Sequence, residues 1–359
     1  MQTTPLPEID ARTLALIARR AAKDEFFLLT DSRVQPMKQV ASALATGGLY
    51  RVAGSGWSGQ RRSSWSAVLK IVRPPPADDT PAPAPEIGAA EQRDQWNYWQ
   101  RESLVYASDL LDELAPGLAA PRCFRIMSPN QQSRWLWLED IGGTPAPAWP
   151  LERYGLAARH FGRWQGSYLA GRTLPELPWL SKGWQRARLG LETPDFAALR
   201  GAWKHPLVKR WFPRALAKAL PRIWAGRGAL LDALDRLPRT LCHFDVWPPN
   251  LIARRTARGG DETVALDWSY LGYGAAGLDA GNLTLGATAR WHVLPADLPK
   301  LEALVYPGYL AGLADAGWQG DERAVRLAYA LAGGLLASSE GARWIGQARD
   351  EESPAGNPP

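Results

Sequence analysis

Apolar and polar positions change their spacing along this chain, and the change divides it into parts. From Ala11 to Ala22 apolar residues, Leu14, Leu16 and Ile17 among them, recur at helical spacing and predict a helix. Short β-rich runs follow at Phe26–Thr30, Met37–Val40, Leu49–Ala53 and Trp65–Val72, which read as strands. Lys70 is the one charged residue in the last run, and a cation among apolar neighbours is costly without a partner. Ala89 to Leu114 reads as a long helix closed by Pro116-Gly117. Trp99 and Tyr106 mark its buried stripe, and Glu102, three residues after the first and four before the second, falls on it. A carboxylate there calls for a buried cation, for which Lys70 is the candidate; the alternative is an exposed Glu102 paired with Arg101.

Pro121–Ile126 and Ser133–Leu138 predict a hairpin around Ser128-Pro129-Asn130. Beyond about residue 140 the pattern turns helical. Leu151–Leu169 carries Tyr154, Leu156, Phe161, Trp164 and Tyr168 as apolar anchors; helices are also expected at Ala280–Thr288, at Lys300–Ala314 with a break at Pro307, and at Arg323–Ala337. Ala77–Pro85 reads as an Ala/Pro-rich disordered insertion and Asp350–Pro359 as a disordered tail.

Composition narrows the class without naming a function. The 359 residues are enough for two lobes, and 46% hydrophobic with 22% charged residues describes an ordinary soluble globular protein. The N-terminus lacks the basic-then-apolar order of a signal peptide, and Leu327–Ala337 is too short to span a bilayer, so the cytoplasm is expected and no membrane partner. Two cysteines, Cys123 and Cys242, make no disulfide framework and lack metal-ligand spacing. A net charge of +6 comes from basic residues scattered along the chain rather than clustered with aromatic platforms, which argues against a nucleic-acid partner. His160, His205 and His292 are isolated and read as surface or core.

The stretch with most chemistry is Leu241-Cys242-His243-Phe244-Asp245-Val246-Trp247-Pro248-Pro249-Asn250-Leu251, followed by Val264-Ala265-Leu266-Asp267-Trp268. Leu251-Ile252 and Val264–Leu266 read as two short strands joined through Gly259-Gly260, and their ends would gather Asp245, Asn250 and Asp267. Phosphoryl transfer to a hydroxyl needs one carboxylate to orient and deprotonate it and two oxygen ligands for the magnesium on the phosphates. Asp245 suits the first task, Asn250 and Asp267 the second.

These motifs resemble the catalytic loop and metal-binding segment of the aminoglycoside phosphotransferase and choline kinase family, small-molecule relatives of protein kinases. The family's loop usually reads His-Gly-Asp; here it is His243-Phe244-Asp245, which should change loop packing but keeps the chemical groups. Gly272 to Asp279 resembles the segment after the metal carboxylate, where Asp279 would be a structural brace. The resemblance implies an α+β, two-lobed protein-kinase-like fold. Residues 1–140 would form a nucleotide-binding lobe of antiparallel sheet plus helix, and 141–349 a mainly helical catalytic and acceptor-binding lobe. It also implies ATP or GTP with Mg2+. Asp245 would be the base, Asn250 and Asp267 the metal ligands, His243 the loop brace, and Lys70, held by Glu102, the phosphate ligand. Leu138, Glu139, Asp140 and Ile141 fall at the lobe-connecting hinge, whose backbone would meet the base edge.

Gly54-Ser55-Gly56-Trp57-Ser58-Gly59 matches G-x-G-x-x-G, a weak signal alone. The more economical reading makes it the turn between two strands and places the phosphate-covering loop at 42–48, with Ser42, Thr46, Gly47 and Gly48; the alternative keeps that loop at 54–59. The expected reaction is phosphorylation of a hydroxyl on an antibiotic, sugar, nucleoside-like compound or amino alcohol, in antibiotic resistance, self-protection or primary metabolism. A nucleotide-binding regulator without turnover is the alternative, which intact Asp245, Asn250, Asp267 and Lys70 disfavour. No acidic run lies between Leu151 and Thr240, so a neutral, anionic or aromatic acceptor is expected rather than a polycation.

Overall fold

The computed structural model describes residues 6–37, 45–75, 93 and 95–350. The expected linker at 77–85, Ser42 and the tail beyond Asp350 lie outside them. The chain divides into two compact units, one of Met1–Arg93, Asn97–Glu113 and Ala120–Gly142, the other of Asp94–Trp96, Leu114–Ala119 and Gly143–Pro359.

The first unit is a helix on an antiparallel sheet. Helix α1, Ala11–Ala22, starts where Asp10 accepts a hydrogen bond from the Thr13 amide at 2.8 Å, a side-chain cap for an otherwise unpaired donor. Its Ile17 and Ala18 are fully buried with Phe27, Tyr50, Val52, Leu69 and Trp137. The sheet comprises β1 (Leu28–Pro36), β2 (Thr46–Ser58), β3 (Arg61–Val72), β4 (Cys123–Asn130) and β5 (Ser133–Glu139), in the order β1-β2-β3-β5-β4.

Three expectations change here. The strand expected at Phe26–Thr30 begins instead at Leu28 and runs on through Asp31, Ser32 and Arg33 to Pro36 as β1; of the strand expected at Met37–Val40, Met37 lies outside β1 and 38–40 lie outside the described residues. As the mostly exposed edge of the sheet, β1 has little apolar alternation to reveal it. The glycine run at 54–59 is mostly strand rather than the turn expected between two strands. Gly54 and Gly56 pair with Trp65 and Ser63 inside the β2–β3 ladder, and only Gly59, at φ +58°, turns the chain. A Cβ on Gly54 would stand 2.0 Å from the Asp31 carbonyl oxygen, so the glycine serves the close approach of β1. Thr46, Gly47 and Gly48 also begin β2, with Thr46 opposite Val72, Gly48 opposite Ile71 and a register shift between them.

Of the long helix expected over Ala89–Leu114, Arg93 is helical and Arg101–Ala107 form a short helix, α2, but 95–100 and 108–114 are not helical; 89–92 and 94 lie outside the described residues. Ser108 ends it: its hydroxyl donates to the Val105 carbonyl at 2.8 Å and accepts from the Leu110 amide, local bonds that compete with helix propagation.

The second unit is mainly helical, with α3 (Leu151–Leu169), α4 (Leu278–Ala289), α5 (Leu298–Asp315), α6 (Glu322–Asp350) and five short helices between residues 184 and 235. The break expected at Pro307 is absent, and α5 runs through it. Tertiary packing explains this, because α5 presses on α3 through glycines: a Cβ on Gly162 would sit 2.3 Å from the Tyr309 oxygen and one on Gly312 2.1 Å from the Arg159 oxygen. Gly162→Ala must therefore separate two backbones. We expect it to destabilise the fold by about 2–3 kcal/mol, read as a lowered urea midpoint. Among the described residues no helix is long and apolar enough to cross a membrane.

Two small sheets organise the middle of this unit. β7 (Leu251–Arg255) pairs antiparallel with β8 (Asp261–Ala265), Leu251 opposite Ala265, and β6 (Arg239–Cys242) pairs with β9 (Gly272–Ala275), Cys242 opposite Gly272. The first ladder brings Asn250 and Leu266 together, where the Leu266 amide donates to the Asn250 carbonyl at 2.8 Å.

Candidate active site

The 243–250 loop leaves β6 through a conformation that strongly disfavours a bulky side chain. Phe244 has φ +65°, the left-handed region in which a Cβ costs roughly 1–2 kcal/mol. Two contacts hold it there. Its ring, 2% exposed, stacks on Trp184 with centroids 5.1 Å apart and planes 10° from parallel. Its amide donates to Asp279 Oδ1 at 2.9 Å, while the His243 amide and Gln165 Nε2 donate to Asp279 Oδ2 at 2.8 and 2.7 Å.

Asp279, at the start of α4, is wholly buried. Loss of solvation pushes its carboxyl up from 3.8 to about 6, although all three donors favour the charged form. Gln165 is held in turn by the Tyr309 hydroxyl, which donates to its Oε1 at 2.6 Å, and by its own bond to the Leu241 carbonyl at 3.0 Å. The expected brace at Asp279 thus belongs to a network reaching α3 and α5. Sequence reasoning missed Gln165 and Tyr309, although a glutamine between Trp164 and Tyr168 on an apolar helix face was a usable signal.

His243 is buried, with Nε2 donating to the Leu266 carbonyl at 3.0 Å and Nδ1 accepting from the Asp245 amide at 3.2 Å. These contacts fix its tautomer and tie the loop to the end of β8. Trp268, fully buried, packs on the same imidazole at 4.5 Å between centroids and donates through Nε1 to Ala265.

Asp245, Asn250 and Asp267 are all half-buried. Asn250 Nδ2 donates to Asp245 Oδ2 at 2.7 Å and to its carbonyl at 3.1 Å. The amide nitrogen is thereby committed to the carboxylate, and Oδ1 is the atom of Asn250 suited to a cation. Asp267 has φ +58°, and its Oδ1 accepts from the Ser269 hydroxyl at 2.6 Å. Among the described residues no group of three or more His, Cys, Asp or Glu side chains could hold a metal by themselves. One carboxylate and one amide oxygen form a sparse hard-donor set, and it fits a cation that keeps waters and phosphate oxygens as its other ligands, as Mg2+ does.

In the first unit Lys70 Nζ lies 2.7 Å from Glu102 Oε2, with both side chains buried. Glu102 is therefore not the exposed partner of Arg101. Removing one member of such a pair leaves the other charge uncompensated, so Glu102→Gln should cost about 3 kcal/mol in a urea melt. A double variant, Lys70→Met with Glu102→Leu, should recover most of that loss. Losses that simply add would mean the two charges are not coupled.

At the expected hinge, Leu138 is buried in the sheet between Val68 and Cys123. The Glu139 amide donates to the Arg122 carbonyl and its carboxylate pairs with Arg122 at 3.1 Å; Asp140 pairs with Arg51 at 2.9 Å. Ile141 follows β5 outside any strand. Glu139, Asp140 and both arginines line a surface groove of about 830 Å³. His160 is a core residue, its Nδ1 2.9 Å from the Thr263 hydroxyl, with burial pulling its pKa down to about 4.

The sequence profile of the phosphotransferase enzyme family, APH, matches residues 50–324. The chain belongs to that family. Among solved structures, this phosphotransferase is similar to an amicoumacin kinase in complex with AMP-PNP, Ca2+ and amicoumacin, at 12% identity over 96% of this chain and 94% of that one, with a TM-score of 0.50. It is also similar to an aminoglycoside phosphotransferase of Streptomyces rimosus in complex with ADP and streptomycin (16% identity, 91% and 99% of the two chains, TM-score 0.44) and to a choline kinase of Cryptosporidium parvum (12%, 95% and 94%, TM-score 0.47). No curated protein matches it significantly in sequence. The α+β kinase-like fold, antiparallel sheet first and helical part after, is shared with the amicoumacin kinase.

Proposed function

We propose that this phosphotransferase moves the γ-phosphoryl group of ATP or GTP, with Mg2+, to a hydroxyl of a small molecule. The observation that carries the reading is the pairing of Asp245 with Asn250 on a braced loop whose Asn250 carbonyl accepts from the amide of Leu266, the residue before a second carboxylate, Asp267. Asp245 would orient the acceptor hydroxyl and take its proton, and the Asn250 amide at 2.7 Å keeps that carboxylate in one rotamer. Asn250 Oδ1 and Asp267 would hold the metal, which when bound neutralises charge on the phosphate oxygens. Lys70, positioned by Glu102, would engage the nucleotide phosphates, and backbone groups of Leu138–Ile141 the base edge. Thr46, Gly47 and Gly48 would lie at the start of the strand that follows the phosphate-covering loop.

The acceptor in this reading is an antibiotic, sugar, nucleoside-like compound or amino alcohol, neutral, anionic or aromatic rather than polycationic, and the setting is cytoplasmic resistance, self-protection or metabolism. The test is ADP release from ATP across a panel of hydroxyl compounds, with Asp245→Ala as control. Acceptor-dependent release lost in the variant supports the reading. Tight nucleotide binding with no acceptor-dependent release for any compound would instead favour a regulator without turnover.

A further inference from the structure

The charge of the second unit is unevenly distributed. Between residues 196 and 231 the chain carries eight Lys and Arg and not one Asp or Glu. Arg200, Lys204, Lys209, Arg214, Lys218 and Arg222 are exposed, and among the described residues none of the six has a carboxylate partner. Four carboxylates elsewhere in this unit are neutralised in place: Asp232 and Asp235 by Arg186 at 2.8 Å each, Glu340 by Arg188 at 2.9 Å, and Asp315 by Arg159 and Arg163 at 2.7 and 2.6 Å. The helical segment is left with a field of one sign, which raises the local concentration of anions and repels cations.

A second observation places the end of that field beside the catalytic loop. Trp247 stands two residues after Asp245 and donates its amide to the Asp245 carbonyl at 3.1 Å. The exposed guanidinium of Arg290 lies 4.8 Å from the centre of the Trp247 indole, and the His292 ring is 6.3 Å away. Between them Trp291 meets Phe212, from the basic segment, edge to face at 6.1 Å. Arg290 has no carboxylate partner among the described residues, so its charge faces no local competitor. Burial and Arg290 both pull the His292 pKa down, which leaves that imidazole able to offer an uncharged polar edge.

We propose that Arg290, seated on Trp247, is a specificity-determining residue that holds an anionic group of the acceptor, so that the acceptor is a hydroxyl compound bearing a phosphate or carboxylate. Resting on the kinase reading above, the inference adds a substrate charge and a residue that selects it. Arg290 supplies two parallel donors to a phosphate or carboxylate, and the indole beneath limits its rotamers, so less freedom is lost on binding. The basic helices beyond attract the acceptor at long range without selecting among anions.

The test uses calorimetric titration of the full chain with AMP-PNP and Mg2+ saturating, so that phosphate compounds meet only the acceptor side. The probes are glucose with glucose 6-phosphate, glycerol with glycerol 3-phosphate, and streptomycin. We expect the phosphorylated member of at least one pair to bind ~10-fold or more tightly than its parent, and the difference to shrink as KCl rises through the range where the Debye length falls below about 8 Å. Arg290→Gln should erase most of that preference and Arg290→Lys should restore part of it, with far-UV dichroism unchanged in both. Equal binding of parent and phosphate, no binding of any probe, tighter binding of streptomycin, or a preference indifferent to Arg290→Gln would each overturn the proposal. The kinase reading fails separately: phosphate preference intact and dependent on Arg290, but no ADP release with ATP for any acceptor.

Discussion

Asp245→Ala should lower acceptor-dependent ADP release by about a thousandfold, within the 10²–10⁴ range of a lost general base, while KM for the acceptor changes little. The side chain is half-buried and accepts a hydrogen bond from Asn250, so the melting temperature should move by no more than about a degree or two. Asp245→Asn is the sharper comparison, because it keeps the shape and a hydrogen bond to Asn250 but cannot accept a proton. It should match alanine in kcat. A residual rate within tenfold of wild type for the asparagine variant would assign proton removal to another group.

The second large effect is expected at Asp279, which touches none of the reacting groups. Asp279→Asn replaces one of two acceptor oxygens with a donor that faces backbone N–H groups, leaving the His243 or Phe244 amide without a partner. With Phe244 held in a left-handed conformation, the loop should relax, and kcat should fall by about 10²-fold with nucleotide affinity preserved. The pH dependence has an unusual sign. The folded carboxyl is raised to about 6 from 3.8, so between those values the native state binds the proton that the unfolded chain releases. This residue's contribution to stability is therefore most favourable below about pH 4 and is lost as pH rises towards 6, by an amount on the order of 3 kcal/mol. Activity should follow the opposite course, declining below about pH 6 as protonation removes an acceptor from the loop amides. A kcat profile whose acid limb is the same in wild type and Asp279→Asn would rule out that assignment.

Most of the hydrogen-bonded loop at 243–250 was legible because its polar residues are close in sequence. His243, Asp245 and Asn250 lie within eight positions, and the strand pattern of Leu251-Ile252 and Val264–Leu266 sufficed to set Leu266, the residue before Asp267, against Asn250. Lys70 and Glu102 were legible for a different reason: each was a charge in an apolar pattern, and such charges need one another. The misreadings share a cause as well. The 54–59 glycines, Pro307 and the 89–114 helix were judged by local propensity, and each was decided by something local propensity omits. Gly54 answers to the Asp31 backbone, Pro307 to the α3 surface, and the helix end to one serine hydroxyl. Tyr309 and Arg290 were out of reach because their partners are distant in sequence, whereas Gln165 left a trace as a polar residue on an apolar helix face, though not of what it holds.

The aromatic ring at position 244 ties together two parts of the molecule that a glycine there would leave independent. Its stacking on Trp184 fastens the 243–250 loop to the first of the short helices between residues 184 and 235. A ligand or substitution that tilts Trp184 must therefore tilt the carboxylate next door. Substitutions that reshape that helix will therefore disturb the loop at the same time, and the two can be separated only by first cutting the ring back at 244.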